Sequence, residues 1–262
     1  MSDFDFEVRP LDQVFGPLTP GDGENFVDAI YREVRARIVD LSLPPDMPLS
    51  EKDLAAVFKS SKTPVREALI RLSREGLVHV VPKSGTFVAP ISLDKYLEAV
   101  FIRERLETGC VLRLASTGLS SAETVKIRAL LAEQSQAYRA ADYSLVFTLD
   151  DRFHQMLFEF AGLGGVWHVM HGAKAEIDRI RHVKRRLGIR RKEAVLDEHW
   201  SIVDAIIAKD GERAEEVVRN NIGAFEEELD YLSNHPKFLD TLDSFNELVG
   251  LQRKGRRSRK VF

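Results

Sequence analysis

The sequence predicts a mainly α protein carrying one short β-hairpin, and three observations predict it. Residues 50–90 read as two short amphipathic helices separated by a polar turn, then two β-rich runs around Pro82-Lys83-Ser84-Gly85. From Leu93 onward the apolar residues recur at helical spacing and no alternating strand pattern appears. Gly118, Gly162, Gly188 and Gly211 fall at or near the breaks between those helical stretches, where helix ends favour glycine.

Taken in order, residues 1–23 mix Pro, Gly and Asp with scattered aromatics and read as a flexible N-terminal arm, with a short strand or a docked arm as the alternative, since Phe4, Phe6 and Val8 alternate. Asn25 to Leu41 is expected to be a helix, with Phe26, Ile30, Val34 and Ile38 spaced by four. Ser50 is an N-cap, and Glu51 and Asp53 favour the positive end of the helix that follows. Leu54, Val57 and Phe58 make its apolar stripe, and Lys59-Ser60-Ser61 ends it. A second helix begins at Ser61 or Lys62. Pro64 stands in its first turn, where a missing N–H costs little, and Val65, Ala68, Leu69 and Leu72 face inward. Lys62, Thr63, Arg66 and Arg71 stay outside. Gly76 fits the left-handed position after that helix.

Two helices, a turn and a basic-tipped hairpin are the layout of a winged helix-turn-helix. In such a head the front of the second helix meets DNA base edges, so cations and hydroxyls belong there. Thr63 to Leu69 (TPVREAL), Arg71-Leu72, Glu75-Gly76-Leu77 and Gly85-Thr86-Phe87-Val88 closely resemble the signature of GntR-type bacterial transcription regulators. Two positions depart from that signature: Pro45-Asp46 stands where Pro-Gly is frequent, and Lys62 where an arginine is usual. The resemblance implies DNA contacts from Lys52, Ser61, Lys62, Thr63 and Arg66, with Lys83 and Gly85 on the wing.

The chain has 262 residues, enough for two domains, 44% hydrophobic composition and a formal net charge of −3. It is therefore no basic nucleic-acid coat, and DNA binding must come from a local patch. The single cysteine, Cys110, excludes an internal disulfide and is expected buried as a thiol. No signal peptide and no apolar run near 18 residues appears, which leads to the expectation of a soluble cytoplasmic protein with no membrane partner. The expected organisation is an arm at 1–23, the DNA-binding domain at 24–89, a linker at 90–92, an all-helical domain at 93–234 and an extension at 235–262. Helices are expected at 93–116, 121–140, 143–161, 164–186, 191–208 and 211–233, with a short one at 237–249, and the long ones form an antiparallel bundle. Arg253 to Phe262 holds six cations and no acid, the composition of a solvated tail that can also meet DNA phosphate.

Asp150 and His154 lie four apart on one helix face, His199 next to Glu198 on a later helix, and Asn221 on the one after. Facing helices of a bundle build metal sites in this way, and one Asp with two His suits a borderline divalent ion such as Zn²⁺ or Ni²⁺. From spacing alone, a helical His is more often a core or surface group. Residues 93–233, through Arg103 to Glu107, LDDRFH (149–154) and Glu198-His199, resemble the FCD effector domain of the FadR branch of GntR regulators. That resemblance implies Asp150, His154 and His199 as metal ligands, with Asn221 where a third His is usual. It also implies a small carboxylate effector, for which Arg103 can supply a bidentate fork; the plain alternative for Arg103 is an intrahelical pair with Glu107. His168, His171 and His182 read as core or surface groups, and the cations from Arg179 to Lys192 as a basic patch around a helix C-terminus, either solvated or a second contact for DNA or an acidic ligand. The function expected is a ligand-responsive homodimeric regulator, most often a repressor in this family, released from an inverted-repeat operator on double-stranded DNA by a small organic acid. Two alternatives stand beside it: a DNA-binding regulator whose helical domain only dimerises, and a metal-dependent hydrolase. No nucleophile motif, phosphate loop or HExxH supports the last.

Overall fold

The computed structural model describes residues 9–186, 194–235, 238–240, 242–243 and 246, and these form two compact units. The first contains the described residues of Met1–Leu93, Ala175–Gly188 and Leu232–Phe262; the second those of Asp94–Lys174 and Ile189–Tyr231. No helix among the described residues is long and apolar enough to cross a membrane.

In the first unit the helices are α1 (Leu11–Val14), α2 (Phe26–Val39), α3 (Glu51–Val57) and α4 (Lys62–Arg74), followed by strands β1 (Val78–Val81) and β2 (Gly85–Val88). The caps are local chemistry. Asn25 accepts from Asp28 N at the start of α2, and Ser50 from Asp53 N at the start of α3. Val65, Ala68, Leu69 and Leu72 of α4 are buried against Ile30, Val34 and Ile38 of α2 and Leu54 of α3. Gly76, at φ 73°, turns the chain from α4 into β1. The strands pair antiparallel, Val78 with Val88 and Val81 with Gly85. The residues before α3 extend the hairpin on its other edge: Asp46 N donates to Val88 O, Val88 N to Met47 O and Leu49 N to Thr86 O. Asp46 sits at φ 61°, which explains why a glycine suits this position and why the short polar Asp is an acceptable substitute.

The chain before Asn25 differs in part from a free arm. Its described residues include α1, and Phe15 is buried, its ring edge-on to Phe58 at 4.8 Å. The alternation of Phe4, Phe6 and Val8 lies outside the described residues. Helix α9 (Ala175–Arg186) is a second correction. A single helix over 164–186 was expected from the apolar spacing, but the helix divides at Lys174 into α8 (Gly164–Ala173) and α9. Ala175 then buries in the core of the first unit, where α9 packs on α2. Arg179, expected on a solvated basic face, is fully buried and bonded to the backbone of residues 89 and 90.

The second unit contains α5 (Leu93–Thr117, from Asp94 on), α6 (Ser121–Arg139), α7 (Tyr143–Phe160), α8, α10 (Ala194–Ile207), α11 (Gly211–Ile222) and α12 (Phe225–Asn234, to Tyr231). Ser120 and Glu123 form a reciprocal capping box on α6, and Asp142 caps α7. Helix α6 packs on α7 and α10, and α10 on α11, around Val111, Leu131, Phe153, Leu157, Ile202 and Val218. Cys110 is buried in this core and its thiol is pushed up to about 12 by burial, so it is no nucleophile. The helix expected at 211–233 is broken at Gly223, φ 80°. The buried Glu104 carboxylate holds the break, accepting from Phe225 N at 3.0 Å and meeting Arg219 at 3.2 Å. Of the helix expected at 237–249, Phe238 and Leu242 are buried and the remainder lies largely outside the described residues, as does the basic tail.

Candidate functional site

The residues expected to read DNA are exposed on the head. Ser61, Lys62 and Thr63 open α4 and are exposed, as are Lys52 on α3 and Lys83 and Gly85 on the wing. The wing turn requires its glycine: Gly85 lies at φ 121°, and the exposed Lys83 in the same turn lies at φ 63°. Arg66, one helical turn in from Lys62, is not loose. Its Nε and Nη2 donate to both carboxylate oxygens of Glu51 at 2.9 and 2.8 Å. The pair links the fronts of α3 and α4, and Arg66 lowers the Glu51 pKa through those bonds. The sequence marks Glu51 only as an acid favoured at the positive end of α3, because the guanidinium it pairs with lies fifteen residues away. A carboxylate here both aims the guanidinium and repels phosphate. Glu51→Gln is therefore expected to strengthen binding to non-cognate duplex several-fold and steepen the salt dependence by about one unit of slope, measured by anisotropy over a salt series.

The second constellation lies in the other unit. Asp150 and His154 stand on α7 and His199 on α10, and one donor atom from each lies within 4.8 Å of the others. Each imidazole is held from behind. His199 Nδ1 lies 2.9 Å from Gln134 Oε1, an acceptor, so Nδ1 carries the proton and the Nε2 lone pair is turned toward Asp150 Oδ1, 3.5 Å away. His199 is fully buried, stacks on Phe153 at 4.1 Å, and its Nε2 has no hydrogen-bond partner. Burial pushes its pKa down to about 3 against the opposing pull of Asp150, so the ring is neutral. His154 follows the same pattern. Its Nδ1 is 2.5 Å from Glu107 Oε2, and its Nε2 is 3.0 Å from Arg103 Nη2, an obligate donor.

Arg103 makes the intrahelical pair that the sequence offered as its plain alternative, and it also meets His154. Its Nε donates to Glu107 Oε1 at 2.5 Å within α5, and its Nη2 faces the His154 lone pair. Both partners of that pair are only 2% exposed. Burial raises the Glu107 pKa, but Arg103 and His154 outweigh it and hold the group at about 2. Asn221 on α11 is buried, and its Nδ2 donates to Glu198 Oε2 at 3.0 Å, which fixes the orientation of its amide next to the helix carrying His199. Gln134 and Glu107 were missed by sequence reading as partners of the histidines. Glu107 was visible only as the plain partner of Arg103, and nothing local marks Gln134.

An orphaned, neutral imidazole nitrogen facing a carboxylate, with a second imidazole in the same tautomer beside it, fits a divalent cation. One local change is needed. Arg103 must leave the His154 lone pair before that nitrogen can ligate. His171 and Lys174 meet Asp151, the neighbour of Asp150, at 3.8 and 2.8 Å.

Comparison with known proteins supports both halves. Residues 26–88 match the bacterial regulatory proteins of the gntR family, and residues 98–224 match the FCD domain. The chain is 34% identical over 218 residues to an uncharacterized HTH-type transcriptional regulator in an unstable DNA locus of Streptomyces ambofaciens, covering 82% of this chain and 89% of that one. It is 32% identical over 193 residues to the HTH-type transcriptional repressor RspR of Escherichia coli K12, covering 74% and 84%. Among solved structures, E. coli McbR/YncC superposes with a TM-score of 0.68 at 20% identity, covering 80% of this chain and 98% of that one, a likeness of fold alone. With a winged head, a helical unit and relatives of this kind, the chain belongs to the GntR family of bacterial regulators and is a DNA-binding transcription regulator with an FCD domain, not an enzyme.

Proposed function

We propose that this regulator is a cytoplasmic repressor whose homodimer holds an inverted-repeat operator and releases it when a small carboxylate enters the helical unit. The observation that carries the effector half is the pair of buried imidazoles, each backed on Nδ1 by Gln134 or Glu107 and each presenting Nε2 on the side of Asp150 or Arg103. Asp150, His154 and His199 would hold a divalent ion, Zn²⁺ or Ni²⁺, with the Asn221 amide oxygen as a weaker fourth donor. Bound there, the ion supplies a Lewis acid for a carboxylate or hydroxyl oxygen. Arg103, displaced from His154 once the ion is bound, would supply the planar fork for the other end of the anion. The likeness to a named repressor supports the direction of regulation.

Release on effector binding is a population shift. The carboxylate must prefer the form that leaves DNA, and driving the equilibrium from 1:99 to 99:1 takes about 5.5 kcal/mol of preference. The Arg103–His154 contact favours a second reading. The guanidinium stands where a cation would face that nitrogen, so the helical unit of a metal-free regulator would only dimerise. Elemental analysis of untagged protein purified without chelator separates the two. About one divalent ion per chain is expected; chains free of metal even after incubation with Zn²⁺ and Ni²⁺ would favour the second reading.

A further inference from the structure

The segment between the head and α5 was expected to be a plain linker, yet every backbone polar group of residues 89–91 is bonded. Ala89 N donates to Leu77 O at 2.9 Å. Arg179 on α9 donates through Nη2 to Ala89 O at 2.7 Å and through Nη1 to Pro90 O at 3.3 Å. Proline has no N–H to satisfy. Asn246 then takes Ile91 from both sides: its Oδ1 accepts from Ile91 N at 3.0 Å, and its Nδ2 donates to Ile91 O at 3.0 Å. A primary amide gripping the N–H and C=O of one residue imitates a neighbouring β-strand. All of these residues belong to the first unit. Glu176 keeps the buried Arg179 guanidinium neutralised at 3.1 Å. Asn246 lies beyond both matched family spans, which end at residues 88 and 224, so this grip comes from the chain's own C-terminal extension.

We infer that Asn246 and Arg179 clasp the interdomain linker onto the DNA-binding unit, and that this clasp sets how tightly the regulator holds two half-sites at once. The physical reason is conformational. A clasped linker has one conformation before DNA is met. An unclasped one must be ordered when both heads engage, which weakens double engagement and leaves a single head's contact unchanged. The operator part of this inference rests on the reading that two heads engage two half-sites.

The test uses the full chain with Asn246→Ala and Asn246→Asp. Asn246 is only partly buried, so both variants should stay folded with at most a small drop in melting temperature from the lost Ile91 bonds. Arg179→Lys, which keeps the charge beside Glu176 but cannot reach both carbonyls, is a third variant. The DNA is the inverted-repeat duplex that the parent selects from a random pool, alongside the same duplex with one half scrambled. Amide exchange is followed by mass spectrometry on a peptide containing Ile91. Faster exchange at Ile91, binding to the full repeat weakened about tenfold and unchanged binding to the scrambled duplex are expected. Unchanged exchange in both Asn246 variants overturns the clasp. Faster exchange with full-repeat affinity intact, or a loss shared by both duplexes, overturns its role in double engagement. If the parent selects only single half-sites, the paired-head reading fails and takes the operator part with it, while Ile91 exchange still decides whether the clasp exists.

Discussion

His199→Ala is expected to abolish stoichiometric metal binding, lowering affinity for Zn²⁺ or Ni²⁺ by at least about 100-fold, because losing a ligand costs more than losing the partner behind one. The expectation follows from the surroundings of the ring. His199 is neutral, its Nδ1 is engaged with Gln134, and its Nε2 has no hydrogen-bond partner beside Asp150. A histidine serving only as a core residue would satisfy both nitrogens. Gln134→Leu should weaken metal about 10- to 100-fold while leaving all the ligands in place. Because His199 also fills space against Phe153, alanine opens a cavity and costs about 2–4 kcal/mol of stability. Competition titration against a chromophoric chelator measures affinity separately from thermal melting, so the two losses can be told apart. Metal affinity unchanged in His199→Ala would remove the ring from the ligand set.

Arg103→Ala is expected to destabilise the helical unit by about 3–5 kcal/mol, since it leaves the Glu107 carboxylate buried without its main counter-charge. Thermal melting of the full chain should show that loss, and Arg103→Ala combined with Glu107→Gln should recover much of it. A melting temperature unaffected by Arg103→Ala would mean that the pair is not buried as described. The consequence for function is practical. Arg103→Ala cannot report on effector binding by itself, whereas Arg103→Lys keeps the charge and removes the fork. The same site is acid-labile. His199 has a folded pKa of about 3 against 6.5 when free, and Glu107 about 2 against 4.5, so the unfolded chain takes up protons first. Their stabilisation is fully present above 6.5 for His199 and 4.5 for Glu107, and is lost as the pH falls toward 3 and 2 respectively.

The head was legible almost residue by residue because local chemistry specifies it. Ser50 caps as its side chain requires, Gly76 turns at positive φ, and the four positions of α4 expected to face inward are buried. Asp150, His154 and His199 were legible through i,i+4 spacing and resemblance, and the structure brings these three together. What was not legible depends on contacts distant in sequence. The breaks at Lys174 and Gly223 interrupt apolar patterns that would continue as helix. The second break is held by Glu104, more than a hundred residues earlier. Arg179 has the composition of a surface cation, and only the linker carbonyls of Ala89 and Pro90 make its burial sensible. Glu51 and Gln134 carry no sequence mark of their second roles, because the partners that define them come from other helices.

Chemistry inside the helical unit is proposed to control the grip of the winged head. The direct test measures binding of the full chain to its selected operator, with Zn²⁺ or Ni²⁺ and with chelator, against a panel of small mono-, di- and hydroxycarboxylates. At least one carboxylate is expected to release the DNA when metal is present, and Asp150→Asn and Arg103→Lys to remove the response while leaving operator affinity intact. Operator affinity indifferent to every carboxylate, with and without metal, would contradict it.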